Sequence, residues 1–243
     1  MRKLLQQVGG HTPMFQIGQG CLAKPLTHRE AQFYQLKPTK LAPFMPHFKG
    51  IETSNIILED LTQYFVQPCI LDLKMGTRQH SDQDDETKRL SKIARCQNST
   101  SHSLGVRMCG SQWVNPHSGQ VVKTDKYAGR GYDVADFVQA LRHFLSDGVG
   151  NRHSVMLDLL GQLLQLRSTI AALDSFRFYS CSLLIMYEGG LDSSSPVIVK
   201  IIDFAQITYQ GFMNDSIVHS GPDRGFIKGV DSLITILQAL LIE

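Results

Sequence analysis

The chain has 243 residues, 42% hydrophobic and 19% charged, with a net charge of only +2 at pH 7. That composition gives an ordinary globular protein enough length for one large domain or two lobes. It excludes a general polyanion binder, so any anion site must come from local clusters of Lys and Arg. Five scattered cysteines with no Cys-x-x-Cys pair argue for reduced thiols and against a disulfide or zinc framework. The N-terminus turns polar after Leu4 and Leu5, too soon for a signal peptide. No apolar run approaches a membrane span. The expectation is a soluble, monomeric, cytoplasmic and/or nuclear protein with no membrane insertion.

Residues 14–17 and 22–24 read as short strands around the hairpin turn Gly18-Gln19-Gly20. Thr27-x-x-Glu30 reads as a capping box opening a helix to about Leu36. Pro38, Pro43 and Pro46 mark a loop, residues 55–58 a strand, and Glu59-Asp60-Leu61 precedes a stronger strand over 68–75. Residues 82–97 are polar with helical spacing. Residues 104–122 have strand character around a turn at 115–119. Helices are predicted over 134–145 and 155–173. The second is almost wholly apolar, so a central core position is expected for it. Strands over 176–187 and 197–203 are joined by a hairpin loop of Glu188, two glycines and a serine tract, and residues 231–241 form a last helix. The fold class is α+β and two-lobed, with a small strand-rich lobe over 1–60 and a larger mixed lobe over 61–243. A helical segment around 82–98 is inserted in the second.

Three stretches carry chemistry. Pro68-Cys69-Ile70-Leu71-Asp72-Leu73-Lys74-Met75-Gly76 puts Asp72 and Lys74 on one face of a strand and Leu71 and Leu73 on the other. A buried carboxylate and ammonium are costly to keep unless they meet a polar ligand or charged partners. In the helix read over 84–97, the acidic Asp84, Asp85 and Glu86 occupy the first turn. Lys88, Lys92 and Arg95 then share a face, with Arg89 beside them. Four like charges repel unless they are solvated or meet an anion. Ile201-Ile202-Asp203-Phe204-Ala205 ends an apolar strand on a carboxylate, and Mg²⁺ binds through one or two carboxylates plus nucleotide phosphates. Lys24 can reach phosphates with Glu30 holding its ammonium, or it is a surface lysine and Glu30 serves the capping box alone. Gly18 and Gly20 either let backbone approach phosphates or simply turn a hairpin.

The 68–76 stretch resembles the Pro-x-x-x-Asp-x-Lys-x-Gly signature of the inositol polyphosphate kinases. Its continuation Thr77-Arg78-Gln79-His80 looks most like the inositol hexakisphosphate kinase branch. Ile202-Asp203-Phe204-Ala205 is similar to that family's Ile-Asp-Phe-Ala motif, and Ser182-Leu183-Leu184 to its Ser-Leu-Leu motif. The resemblance extends from Val8-Gly9-Gly10-His11 to Gly221-Pro222-Asp223-Arg224-Gly225. It implies a protein-kinase-like, ATP-grasp-like architecture using ATP and Mg²⁺. In it, the backbone of Glu59 and Leu61 would hold adenine and Asp72 the ribose hydroxyls. Lys24 would reach the phosphates, Asp203 would ligate the metal, and Ser182 would support the metal or nucleotide. Lys74 would stand between the transferred phosphoryl group and the acceptor, with Lys88, Arg89, Lys92, Arg95 and His102 binding the acceptor's phosphates. Arg107 is either a further contact or a structural strand residue, and Lys123, Lys126 and Arg130 are secondary candidates. Protein kinases themselves are excluded, because the only near match to His-Arg-Asp is His28-Arg29-Glu30, ahead of Glu59-Asp60-Leu61, the stretch that resembles the family's hinge.

The implied activity is phosphoryl transfer to inositol hexakisphosphate. The alternatives are a broader kinase of ring hydroxyls and a silent polyanion-binding module. Nucleic acid is disfavoured as a partner, because charge is balanced and aromatics do not interleave with the basic stripe.

Overall fold

A computed structural model describes residues 2–4, 7–9, 13–18, 20–115, 117–190 and 196–243. The first sheet is built from β1 (Arg2–Lys3), β2 (Phe15–Gln16), β3 (Cys21–Pro25), β4 (Phe48–Glu52) and β5 (Asn55–Glu59), all antiparallel, in the order β1-β2-β3-β5-β4. Between β3 and β4 lies α1 (His28–Leu36), which buries Glu30, Ala31, Phe33 and Tyr34. The predicted capping box is not made: Thr27 accepts no side-chain cap bond. Glu30 is instead drawn into a buried ion pair with Lys24, a stronger use of a carboxylate than capping. The proline-marked loop contains a 3-10 turn over Thr39–Phe44, followed by β4. That strand escapes sequence reading because its residues alternate only between partial and full exposure, leaving no apolar period.

After a 3-10 turn over Leu61–Tyr64, the chain runs through β6 (Pro68–Met75), α2 (Glu86–Gln97), α3 (Thr100–Leu104), β7 (Val106–Val114) and β8 (Val121–Thr124). It continues with α4 (Lys126–Gly131), α5 (Val134–Phe144), α6 (His153–Ala171), β9 (Arg177–Phe178), β10 (Ser182–Glu188), β11 (Ile198–Ile202), β12 (Ile207–Thr208) and α7 (Arg224–Leu241). The second sheet has the order β11-β10-β6-β7-β8, which puts the signature strand β6 at its centre. Ser182 on β10 lies opposite Lys74 and Leu184 opposite Asp72, while Gly110 on β7 lies opposite Asp72 from the other side. Strands β9 and β12 form a separate two-stranded sheet.

Three boundaries and one placement differ from the sequence reading. Asp85 is the N-cap of α2 rather than its first-turn residue, accepting from the Lys88 amide at 2.9 Å. The strand over 176–187 breaks between β9 and β10 at Ser180, whose φ of 56° leaves the strand region. The last helix starts at Arg224 behind the cap Asp223, whose carboxylate accepts from the Phe226 amide. Finally, α6 is not a central core helix. It buries the stripe Met156, Leu159, Leu163, Leu166 and Ile170 and leaves Leu157 and Leu164 58% and 48% exposed. Its buried stripe packs against α7 and β11. Helix α7 comes close to the turn after α3: a Cβ on Gly229 would lie 2.3 Å from the Gly105 carbonyl oxygen. Gly105 has a φ of 71°, and its carbonyl accepts from Gly76 at the end of the signature strand. Among the described residues no helix is long and apolar enough to cross a membrane.

Candidate active site

The alternation of β6 buries Leu71 and Leu73 on one side and turns Asp72 and Lys74 to the other. Lys24 arrives from β3 of the first sheet, and Asp203 from the residue just after β11. Lys24 Nζ donates to Glu30 Oε1 at 2.7 Å and to Asp203 Oδ1 at 2.8 Å. Lys74 Nζ stands 3.6 Å from Asp203 Oδ2 and donates to the Ser180 carbonyl at 2.8 Å. Asp203 takes a left-handed φ of 68°, and the following Phe204 amide donates to Glu30 Oε1 at 3.1 Å. One ammonium from each sheet therefore flanks a single carboxylate.

The electrostatics follow from this arrangement. Burial alone would push the Asp203 carboxyl up, but the ammoniums of Lys24 and Lys74 outweigh it and hold the pKa at about 2. Lys24 is penalised by burial and raised beyond its ordinary value by Asp203 and Glu30. Asp72 goes the other way: desolvation raises it, with Lys74 only partly compensating. Its Oδ1 makes no hydrogen bond of good geometry among the described residues; the fully buried Ser182 hydroxyl, likewise without one, stands close enough to offset a little of that rise. Lys24 is thus not a surface lysine, and Ser182 does not face solvent.

Among the described residues no three His, Cys, Asp or Glu side chains converge to hold a metal ion by themselves. An ionised Asp203 with its hard oxygens suits Mg²⁺, which relies on one or two carboxylates and completes its shell from phosphates and water. Ser182 does not line the cavity that Asp203 borders.

A single cavity of about 520 Å³ runs past this centre. At one end, Val8, Leu22, Leu58, Ile70, Leu184 and Met186 make apolar walls beside Glu59, Asp60 and Leu61. The Glu59 carboxylate is turned away by Tyr64 and the His47 amide, and Asp60 is fixed by Thr62 and Gln16. The site offered there is backbone and apolar surface, which matches the flat faces and edge of a purine. Gly9 lies directly on Asp72, with a built Cβ only 1.9 Å from Oδ2. The glycine at the cavity is therefore Gly9. Gly18 and Gly20 do not line it: the Gly20 carbonyl accepts from the Asp60 amide, and Gln19 lies outside the described residues.

The other end carries cations: Lys92, Arg95, Arg107, Lys126 and Arg130 all line it. Lys88, Arg89 and His102 do not. The acidic start of α2 neutralises much of its basic stripe, pairing Lys88 with Asp85 at 3.0 Å, Arg89 with Glu86 at 2.7 Å and Lys92 with Asp84 at 2.6 Å. His102 is exposed on α3, its carbonyl accepting from Lys228. Arg107 and Arg130 were underrated by the sequence reading. Arg107 is 5% exposed, burial lowers its pKa, and its Nε has no partner among the described residues. The signal for Arg107 was available: an arginine on a strand alternating with buried Val106 and Met108 must be kept for a partner.

The family model of the inositol polyphosphate kinases matches residues 55–238. Inositol hexakisphosphate kinase 3 of Mus musculus is 41% identical over 197 residues, covering 75% of this chain and 50% of its own length. Inositol hexakisphosphate kinase 3 of Homo sapiens is 38% identical over 230 residues, covering 85% of this chain and 56% of its own. The chain thus spans about half the length of the curated relatives it matches. Among solved structures, the inositol phosphate multikinase Ipk2 of S. cerevisiae, in complex with ADP and Mn²⁺, is similar with a TM-score of 0.78 at 24% identity. That match covers 91% of this chain and 99% of the other.

Proposed function

The chain belongs to the inositol polyphosphate kinase family, and from that premise we propose that it is an ATP- and Mg²⁺-dependent kinase of inositol hexakisphosphate. It transfers the γ-phosphoryl group to a ring phosphate and yields a diphosphoinositol polyphosphate. The observation that carries this reading is the single cavity with an apolar hinge end, a cation-lined end and the Lys24–Asp203–Lys74 centre between them. Relatives named inositol hexakisphosphate kinases support the acceptor, and the ADP and Mn²⁺ held by Ipk2 support nucleotide and divalent metal.

In this reading the hinge backbone at Glu59 and Leu61 orients adenine, and Asp72 accepts from the ribose hydroxyls. Lys24 neutralises the nucleotide phosphates, held in place by Glu30. Lys74 lies between donor and acceptor, where it offsets the charge of two polyanions brought together. Asp203 holds the metal, which when bound adds positive charge at the phosphate oxygens. Lys92, Arg95, Arg107, Lys126 and Arg130 receive the acceptor's phosphates, Arg in planar, bidentate fashion. No histidine among the described residues lines the cavity, and a carboxyl held at about 2 makes Asp203 a poor base. A phosphate acceptor, already anionic, has no proton that must be removed.

The second reading is a broader kinase acting on ring hydroxyls of less phosphorylated inositols. It is favoured by the internal pairing of Lys88, Arg89 and Lys92, which leaves less uncommitted charge for a fully phosphorylated ring. Transfer from γ-labelled ATP with Mg²⁺, to the hexakisphosphate and to tris- to pentakisphosphates separately, decides between them. Label in a product more phosphorylated than the hexakisphosphate is expected. Label only in lower inositol phosphates supports the second reading, and label in none contradicts both.

A further inference from the structure

Helix α1 carries two adjacent residues that grip the same segment of the second lobe at its two ends. Glu30 accepts from the Phe204 amide at 3.1 Å, as described above. Arg29 donates to the Ile207 carbonyl at 2.9 Å and makes a bidentate pair with Asp215, both bonds 2.7 Å. This pair is partly buried, with side-chain exposures of 15% and 8%. Asp215 also accepts from the Thr208 hydroxyl at 2.5 Å and from Gln83 Nε2 at 2.6 Å. Four donors thus converge on one carboxylate, and Arg29 holds its pKa below the ordinary range.

Gln83 belongs to the turn that leads into α2, the helix bearing Lys92 and Arg95. The same helix is tied a second time, because Lys92 Nζ donates to Gln206 Oε1 at 2.7 Å and to Asp84 at 2.6 Å. Gln206 lies within the segment whose ends α1 holds. Neither Arg29 nor Asp215 lines the main cavity.

We propose that Arg29 and Asp215 are a positioning pair that sets the acceptor helix α2 relative to the Lys24–Asp203 centre. Glu30 fixes the donor side of the segment, and its neighbour Arg29 fixes the acceptor side through Asp215, Gln83 and Gln206. A bidentate Arg–carboxylate pair gives direction as well as energy. Neutralising Asp215 keeps its shape but takes the charge from all its bonds, freeing the lead of α2 without touching the hinge. Small displacements of positioning groups have large effects on bound geometry.

The inference rests on the proposed assignment of the two cavity ends. The test is calorimetric binding of ADP and, separately, of inositol hexakisphosphate to wild type, Asp215→Asn, Arg29→Lys and Gln83→Ala, with steady-state KM values for both substrates. Asp215→Asn is expected to weaken hexakisphosphate binding about tenfold and raise its KM alike, with ADP affinity within about twofold. Gln83→Ala, an exposed side chain whose loss spares the core, is expected to give the same split in milder form. Arg29→Lys, which keeps charge but loses the bidentate geometry, is expected to fall between wild type and Asp215→Asn. Equal loss for both ligands, or no change for either, overturns the positioning role while leaving the kinase reading intact. A wild type that binds ADP but no hexakisphosphate overturns the assignment of the ends, and the inference with it.

Discussion

Asp72 is 4% exposed, one carboxyl oxygen makes no hydrogen bond of good geometry among the described residues, and desolvation raises its pKa despite Lys74. A carboxyl whose folded pKa lies above its ordinary value favours the folded state at low pH and disfavours it as pH rises through the folded pKa. Asp72→Asn mimics the neutral form, so the variant is expected to be more stable at neutral pH by about 1 kcal/mol, a Tm increase of about 2–4 °C. It should also bind ADP more weakly, if the carboxylate accepts from the ribose. Calorimetric unfolding and ADP titration of the same variant check both signs. Asp203 has the opposite linkage. Its carboxyl is lowered from the ordinary 3.8 to about 2, so the stability it contributes is present above 3.8 and is lost as pH falls through about 2. Lys24→Met leaves Glu30 and Asp203 without their shared cation. The variant should be clearly less stable at neutral pH, and the gap should narrow on acidification as the Asp203 carboxyl is protonated. Thermal melts of both proteins from pH 7 downward check this, and a constant gap would contradict it. Asp72 and Lys74 were legible because strand alternation turns a local spacing into a shared face, and Asp203 because a carboxylate closes an apolar strand. Glu30 was legible as a partner of Lys24 only as one of two options, because a Thr-x-x-Glu pattern fits a capping box equally well.

At the scale of single elements, α2 shows how a charge stripe can mislead. The helical face predicted for Lys88, Lys92 and Arg95 ignored acids three residues earlier, although Asp85–Lys88 and Glu86–Arg89 have the spacing at which side chains meet. Exposed pairs of this kind contribute little to stability, but they occupy the cations. Lys88→Ala and Arg89→Ala are therefore expected to leave the KM for the inositol substrate within about twofold. Arg95→Ala, at the cavity, is expected to raise it about tenfold. Steady-state kinetics with the inositol substrate varied at saturating ATP distinguishes the two groups. Helix α6 misled in the other direction, since a nearly continuous apolar run hides which stripe is covered. Leu157 and Leu164 remain exposed because α7 and β11 cover only one side. Strand β4, which pairs with its neighbour β5 but has no apolar period, and the start of α7 ahead of its apolar stripe left the weakest local signal.

Across the whole molecule, a net charge of +2 coexists with a cavity whose far end gathers Lys92, Arg95, Arg107, Lys126 and Arg130 from α2, α4 and β7. The order of motifs along the chain gave the two-lobed α+β architecture but not the central place of β6 in its sheet. It could not give the convergence of α4 and β7 on the acceptor end, because that depends on the antiparallel placing of β7 beside β6 and on packing around Gly105 and Gly229. In the function proposed above, this cleft makes a diphosphate on an inositol ring. Phosphorus NMR of inositol hexakisphosphate incubated with the protein, ATP and Mg²⁺ tests it most directly. The predicted spectrum gains a pair of mutually coupled diphosphate resonances on the ring, absent with Lys74→Met. A spectrum in which ATP is consumed while every ring phosphate remains a monoester, or in which nothing changes, would contradict the claim.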